Sequence, residues 1–184
     1  MSIQKAVKDL GKITPKRGTL WVLFIGHGGA YKGQALMIPA DMEPNKRGLK
    51  NGSYTWEEFQ KTVEKGKQFK TMFVADACWN GKTPHGKSLE LPIETPQASE
   101  LQLDDGTVLL SQGLNSCFGD LPRLNKPAWT YLAVGSLRGW ADVDLDGIVT
   151  VKEMVDYVNN AALQADPARP QNTQFFGDSP DLVL

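Results

Sequence analysis

Leu20-Trp21-Val22-Leu23-Phe24-Ile25, followed by Gly26-His27-Gly28-Gly29, is the stretch on which the fold of this chain turns. Six apolar residues without polar alternation read as a strand buried on both faces, as in a parallel sheet covered by helices. The glycine-rich turn is expected to end that strand abruptly. A second run, Thr71-Met72-Phe73-Val74-Ala75, leads into Asp76-Ala77-Cys78, and Val108-Leu109-Leu110-Ser111 reads as a third core strand. Helical spacing surrounds these runs. Ile3, Val7 and Leu10 recur at steps of three and four, with Gly11 placed to stop the helix. Thr55-Trp56-Glu57-Glu58 has the form of a capping box, with Trp56, Phe59 and Val63 on one face behind it. Two further helices are predicted over residues 128–139 and 150–162. Residues 80–106 are polar, carry Pro84, Pro92 and Pro96, and are expected to form a long surface loop. Helices alternating with short apolar strands define an α/β sandwich with a mostly parallel sheet.

Composition narrows the function. The chain has 184 residues, with 20 Lys and Arg against 21 Asp and Glu, a formal net charge of −1. Such a balance offers no basic face, so neither nucleic acid nor a membrane surface is an expected partner. Hydrophobic residues at 41% and charged residues at 22% are ordinary for a globular protein. No apolar stretch approaches the roughly 20 residues of a membrane span, and no charged-then-apolar leader opens the chain, so a cytoplasmic location is expected. Two cysteines, Cys78 and Cys117, are too few for a disulfide framework, and free thiols are the expectation.

In sheets of this kind ligands bind beyond the carboxyl ends of the strands, where His27 and Cys78 both fall. On neighbouring parallel strands about 4.8 Å apart, their side chains could converge on one substrate carbonyl. An imidazole beside a thiol favours the thiolate and can later protonate a leaving amine. The backbone N–H groups of Gly28 and Cys78 are the candidate oxyanion donors. No third orienting residue is visible. Taken singly, a cysteine after a core strand is more often a small buried hydrophobe. His85, between Pro84 and Gly86, reads as a loop residue, and Cys117 as structural.

The two strings ending in Gly-His-Gly-Gly and in Asp-Ala-Cys-Trp-Asn-Gly resemble the paired signatures of the caspase and metacaspase clan of cysteine proteases. The stretch from Tyr131 through Gly139-Trp140-Ala141-Asp142 to Tyr157-Val158 is similar to the carboxyl-terminal part of bacterial caspase-like domains. The resemblance implies a caspase-like three-layer sandwich over residues 1–165, with residues 166–184 as a tail packing on its surface. It implies His27 as general base and acid, Cys78 as nucleophile, and Gly28 with Cys78 as the oxyanion hole. Asp76 stands where metacaspases carry an acidic residue that reads Arg or Lys before the scissile bond; a carboxylate there suits a cation. The alternative is that Asp76 only caps the strand end. This chain has Ile25 where many members have a serine, and it begins at the helix that the clan's opening strand would precede. A separate amino-terminal fragment or partner chain completing the sheet is therefore an expected partner.

Asp142-Val143-Asp144-Leu145-Asp146-Gly147-Ile148, with Glu153 closing the pattern, meets every position of the EF-hand calcium loop. Alternate carboxylates converge on one hard cation, Gly147 permits the turn, Ile148 offers its carbonyl and Glu153 can bind through both oxygens. The alternative is an Asp-rich turn in which Thr150 and Glu153 cap the last helix. The expected function is a cysteine endopeptidase cleaving after Arg or Lys, with calcium as a structural or regulatory ion. The competing readings are a catalytically silent calcium-binding or scaffold domain, and another thiol hydrolase with the same dyad.

Overall fold

The structure, a computed structural model, describes residues 3–82, 87–110, 119–121, 127–167, 172–177 and 181–184. In chain order its elements are α1 (Ile3–Ile13), β1 (Thr19–Tyr31), β2 (Gln34–Ile38), α2 (Lys46–Gly52), β3 (Tyr54–Thr55), α3 (Trp56–Val63) and β4 (Lys70–Cys78). A 3-10 turn (Ala98–Leu101) precedes β5 (Gly106–Leu110); α4 (Ala128–Gly135), a π-helical turn (Ser136–Trp140), α5 (Val151–Ala165) and β6 (Gln174–Gly177) follow.

The six strands form one sheet in the order β3-β2-β1-β4-β5-β6. Only the centre is parallel: β1 pairs β4 and β4 pairs β5 in parallel, while β2, β3 and β6 join antiparallel. The expected mostly parallel sheet is thus corrected to a mixed one. The cause lies in the glycine run, which does not end β1. The chain continues to Tyr31 and reverses through Lys32 (φ 53°) and Gly33 (φ 73°), two left-handed residues that make a tight hairpin into β2. An immediate return of this kind can only be antiparallel.

Helices cover both faces. On one, Phe73, Ala75 and Val108 pack with Val7 of α1 and with Trp56, Phe59 and Val63 of α3. The Trp56 and Phe59 rings lie 4.9 and 5.0 Å from that of Phe73, at tilted and edge-on angles that suit aromatic quadrupoles. On the other, Met72 and Val74 pack beneath Trp129 and Leu132 of α4 and Val151, Met154 and Val158 of α5. The Thr55 capping box forms as read, with Thr55 Oγ1 accepting from Glu58 N–H and the Glu58 carboxylate accepting from Thr55 N–H.

Three expectations change. Gly11 lies inside α1, packed against Gly66, and accepts a hydrogen bond from Lys67 N–H at 3.0 Å, so it serves close approach rather than termination. The loop after β4 is not purely superficial, because Leu101 and Leu103 enter the α3-side core. The segment read as a surface tail supplies β6 to the sheet. It is anchored by Trp129 Nε1–H donating to Thr173 Oγ1 at 2.9 Å and by Thr173 N–H donating to Asn159 Oδ1 at 2.7 Å. No helix among the described residues is long and apolar enough to cross a membrane.

Candidate active site and acidic loop

β1 and β4 stay in register from Thr19 opposite Lys70 to His27 opposite Cys78. Parallel partners share a face, so Ile25 and His27 of β1 and Asp76 and Cys78 of β4 all look toward the α4 side. His27 was expected past the end of its strand; it sits within β1, on the last rung of the β1–β4 ladder, because the hairpin carries β1 onward. The register brings the two residues together all the same. His27 Nδ1 is buried with no hydrogen-bond partner, so among the described residues no third group orients the ring. Burial also pushes the imidazole pKa below its ordinary value and favours the neutral ring.

Cys78 is 4% exposed and disulfide-bonded. This corrects the expectation of free thiols. While the bond stands, Cys78 has neither a proton to give nor a thiolate to attack with. Cys117 and His85 lie outside the described residues.

The backbone around the pair is fixed by Trp79. Its indole, 1% exposed, fills the space that a side chain on Gly28 would need: a Cβ there would stand 2.3 Å from the Trp79 ring. Ala30 exchanges two backbone hydrogen bonds with Glu94, at 2.7 and 2.8 Å, on the edge of β1 facing the end of β4. Strand alternation directs the Gly28 N–H to the same edge, where β1 meets the end of β4.

A cleft of about 250 Å³ opens beside the pair, lined by Ile25, His27, Asp76, Cys78, Asp120 and Pro127 among others. Thr130 Oγ1–H of α4 donates to Asp76 Oδ2. The far wall is the entry to α4, closed by a bridge between Asp120 and Pro127 and by Ala128 N–H donating to Gly119 O at 3.1 Å. Sequence reading missed Asp120. An acidic residue between the third parallel strand and the next helix falls beyond a carboxyl edge, and that placement was the available signal.

In the acidic loop one carboxylate oxygen from each of Asp142, Asp144 and Asp146 lies within 4.8 Å of the others, close enough to hold a metal ion. The carboxylates also shape the loop. Asp146 N–H donates to Asp142 Oδ1 at 3.1 Å, Gly147 N–H to Asp142 Oδ2 at 3.0 Å, and Ile148 N–H to Asp146 Oδ1 at 2.7 Å. Leu145 (φ 62°) and Gly147 (φ 82°) take the left-handed conformation that the turn requires. Glu153 lies outside the trio and caps α5, its Oε2 accepting from Thr150 N–H and Oγ1–H at 2.9 Å each. Those hydrogen bonds, the backbone one foremost, lower the Glu153 pKa, as does one from the Val143 backbone.

No family model and no curated protein matches the chain.

Proposed function

We propose that this chain is a caspase-like cysteine endopeptidase with His27 and Cys78 as its dyad. The observation that carries the reading is the pairing of His27 with Cys78 on the last rung of the ladder, at the mouth of an acidic cleft. In the reduced protein, His27 takes the thiol proton as Cys78 Sγ attacks the substrate carbonyl carbon, and the developing oxyanion takes hydrogen bonds from the N–H groups of Gly28 and Cys78. The C–N bond breaks as His27 delivers a proton to the leaving amine. Water, deprotonated by His27, then hydrolyses the thioester, freeing the carboxylate and restoring the thiol. The carboxylates of Asp76 and Asp120 in the lining favour Arg or Lys before the scissile bond and disfavour Asp.

Calcium is the ion we assign to Asp142, Asp144 and Asp146, with the Ile148 carbonyl and Glu153 as further oxygen donors. An all-oxygen set suits a hard cation, and a single loop suits a structural role. For residues 20–26, β4 pairs one edge of β1, and no strand among the described residues pairs the other. On the sheet face beside that edge, Trp21, Leu23 and Ile25 are 41%, 57% and 60% exposed, and we assign the edge to an extended apolar strand of another chain. Measurement of the native mass tests that assignment; a stable monomer of 20.2 kDa overturns it. The cytoplasm, which keeps thiols reduced, is the compartment in which the dyad would work.

A peptide-library digest by the reduced protein, compared with Cys78→Ala, tests the activity. Cleavage after Arg and Lys that vanishes in the variant is expected; equal products from both proteins, or preference for Asp, would overturn it. The oxidised state of Cys78 favours a second reading, a silent scaffold domain. That reading predicts no labelling of Cys78 by an active-site probe even after reduction.

A further inference from the structure

The formal net charge of −1 conceals a local imbalance. On the α3 side of the sheet, a groove of about 470 Å³ runs between α1 and α3, lined by Lys5, Lys8, Lys12, Lys61, Lys65 and Glu58 among others. Five lysines and one glutamate give these walls a formal charge of +4. Lys5, Lys8 and Lys12 stand three and four residues apart on one stripe of α1, and Lys61 of α3 stands four before Lys65. We propose that this groove binds a compact polyphosphate, either free tripolyphosphate or the triphosphate of a nucleotide. It lies on the sheet face opposite the His27–Cys78 cleft and does not depend on the endopeptidase reading.

Folding alone does not favour this arrangement, because like charges three or four residues apart on a helix repel. Asp9 relieves part of the repulsion by pairing with Lys5 and, at 3.5 Å, with Lys12, and Glu57 pairs with Lys61. Exposed pairs of this kind are weak, so these lysines can turn to a more highly charged anion. Among the described residues Lys8 and Lys65 form no ion pair. Glu58 is engaged at the start of α3, its carboxylate accepting from Thr55 N–H and Oγ1–H at 3.1 Å each. Packing fixes the walls. Val7 of α1 enters one core with Phe59 and Val63 of α3, and Lys67 N–H donates to Gly11 O where Gly66 lines the groove. The identity of the cations points to phosphate. All five in the described lining are lysines, compact point charges that suit phosphate and lack the planar fork with which arginine grips a carboxylate. Lys5 and Lys12 are about 10.5 Å apart along the helix axis. A short chain of linked phosphates concentrates several charges within that length, whereas an extended acidic peptide offers each wall one carboxylate per roughly 6.6 Å. A nucleic-acid duplex, whose major groove alone is about 12 Å wide, cannot enter between helices packed roughly 8–10 Å apart.

Isothermal titration calorimetry on the full chain, with sodium tripolyphosphate and no divalent cation, tests the site. Binding that weakens as salt rises is expected. Lys8→Gln combined with Lys65→Gln should weaken it at least about tenfold, since each removes a full charge beside the anion. Both lysines are exposed, so this variant should melt at the wild-type temperature without ligand. Lys46→Gln combined with Lys50→Gln removes the same net charge from exposed positions on α2 and should change the affinity less than about twofold. ATP, titrated in parallel, separates the two sources of the phosphates: tighter binding than tripolyphosphate identifies a nucleotide, and equal or weaker binding identifies the phosphate chain alone. No binding of millimolar tripolyphosphate, by heat or by a shift in melting temperature, overturns the proposal. So does an undiminished affinity in the groove variant, or an equal loss in the α2 variant. Equal or tighter binding of a polyglutamate peptide, a DNA duplex or phosphatidylserine vesicles at the same salt also overturns it.

Discussion

Replacing Gly28 with alanine tests the contact that fixes the backbone of the candidate site. The added Cβ would stand 2.3, 2.6 and 2.7 Å from Cε3, Cζ3 and Cδ2 of Trp79. These are atoms of a rigid ring that is 1% exposed and part of the α3-side core, so it has no free direction in which to retreat. Overpacking of this kind costs about 1–3 kcal/mol. For a chain of this size each kcal/mol lowers the melting temperature by roughly 2–4 °C. The expected fall is therefore roughly 2–12 °C. Trp79→Leu removes the ring and is itself destabilising through the cavity it leaves, by several kcal/mol. In that background Gly28→Ala should cost at least about 1 kcal/mol less than in wild type, well outside the roughly 0.5 kcal/mol within which independent sites add. Urea unfolding of the four proteins, followed by circular dichroism in reductant throughout, completes the cycle. Since Trp79 follows Cys78, Gly28→Ala should also slow alkylation of Cys78 in the folded, reduced protein. An additive cycle would refute the reasoning, because the clash it rests on would then be absent.

His27 is held neutral by burial, so its folded-state pKa lies below the unfolded value near 6.5. The unfolded chain therefore takes up the proton first, and stability present above about pH 6.5 is lost as pH falls toward the folded pKa. NMR titration of the oxidised protein, with His27→Gln identifying the signal, should give a midpoint below 6.5; one at or above 6.5 refutes the assignment. Calcium should raise the melting temperature, by the equivalent of about 2.7 kcal/mol at a hundredfold excess over its dissociation constant, and Asp142→Asn should abolish the rise. A melting temperature that chelator leaves unchanged rules out an ion in the acidic loop. Thr150→Ala removes the hydroxyl of the α5 capping box and should cost about 1 kcal/mol in urea unfolding, with Thr150→Ser near wild type.

Local chemistry made much of the fold readable. The capping boxes at Thr55 and Thr150 are spelled by residues three apart, and both form. The apolar runs became β1, β4 and β5 because a solid apolar stretch has few alternatives to a sheet interior. What escaped depended on pairing. β2 was hidden because Lys32-Gly33 is a weaker hairpin signal than Asn-Gly, though its two positive φ angles do the same work. β6 is four residues long and exists because β5 has a free edge to offer, which no window of the chain displays. The expectation that the run of residues 20–25 would be buried on both sides failed on one face. Val22 and Phe24 pack into the core, whereas Trp21, Leu23 and Ile25 stand exposed where α4 and α5 do not reach. Of the candidate site, His27, Asp76 and Cys78 were legible because each follows a solid apolar run, and Asp120 was not because its role comes from the closure of the α4 entry.

The glycines beside His27 show how one sequence signal can carry two causes. Read alone, Gly26-His27-Gly28-Gly29 suggests a backbone left bare so that a reacting carbonyl can approach. In the folded chain, Gly28 is bare because Trp79 lies against it, and Gly29 because the Ile93 side chain would meet a Cβ there at 2.1 Å. Both contacts arise where the β1–β4 ladder stops: β4 ends and turns its tryptophan under β1, while β1 runs on and takes Glu94 at Ala30 in place of β4. Packing therefore accounts for these two glycines before catalysis is invoked, and their presence adds little to the case for an enzyme. That case rests on what packing does not require, an imidazole with an uncommitted nitrogen opposite a sulfur, beside two carboxylates in one cleft. A fold that needed only to close its ladder could have placed apolar residues at all four positions.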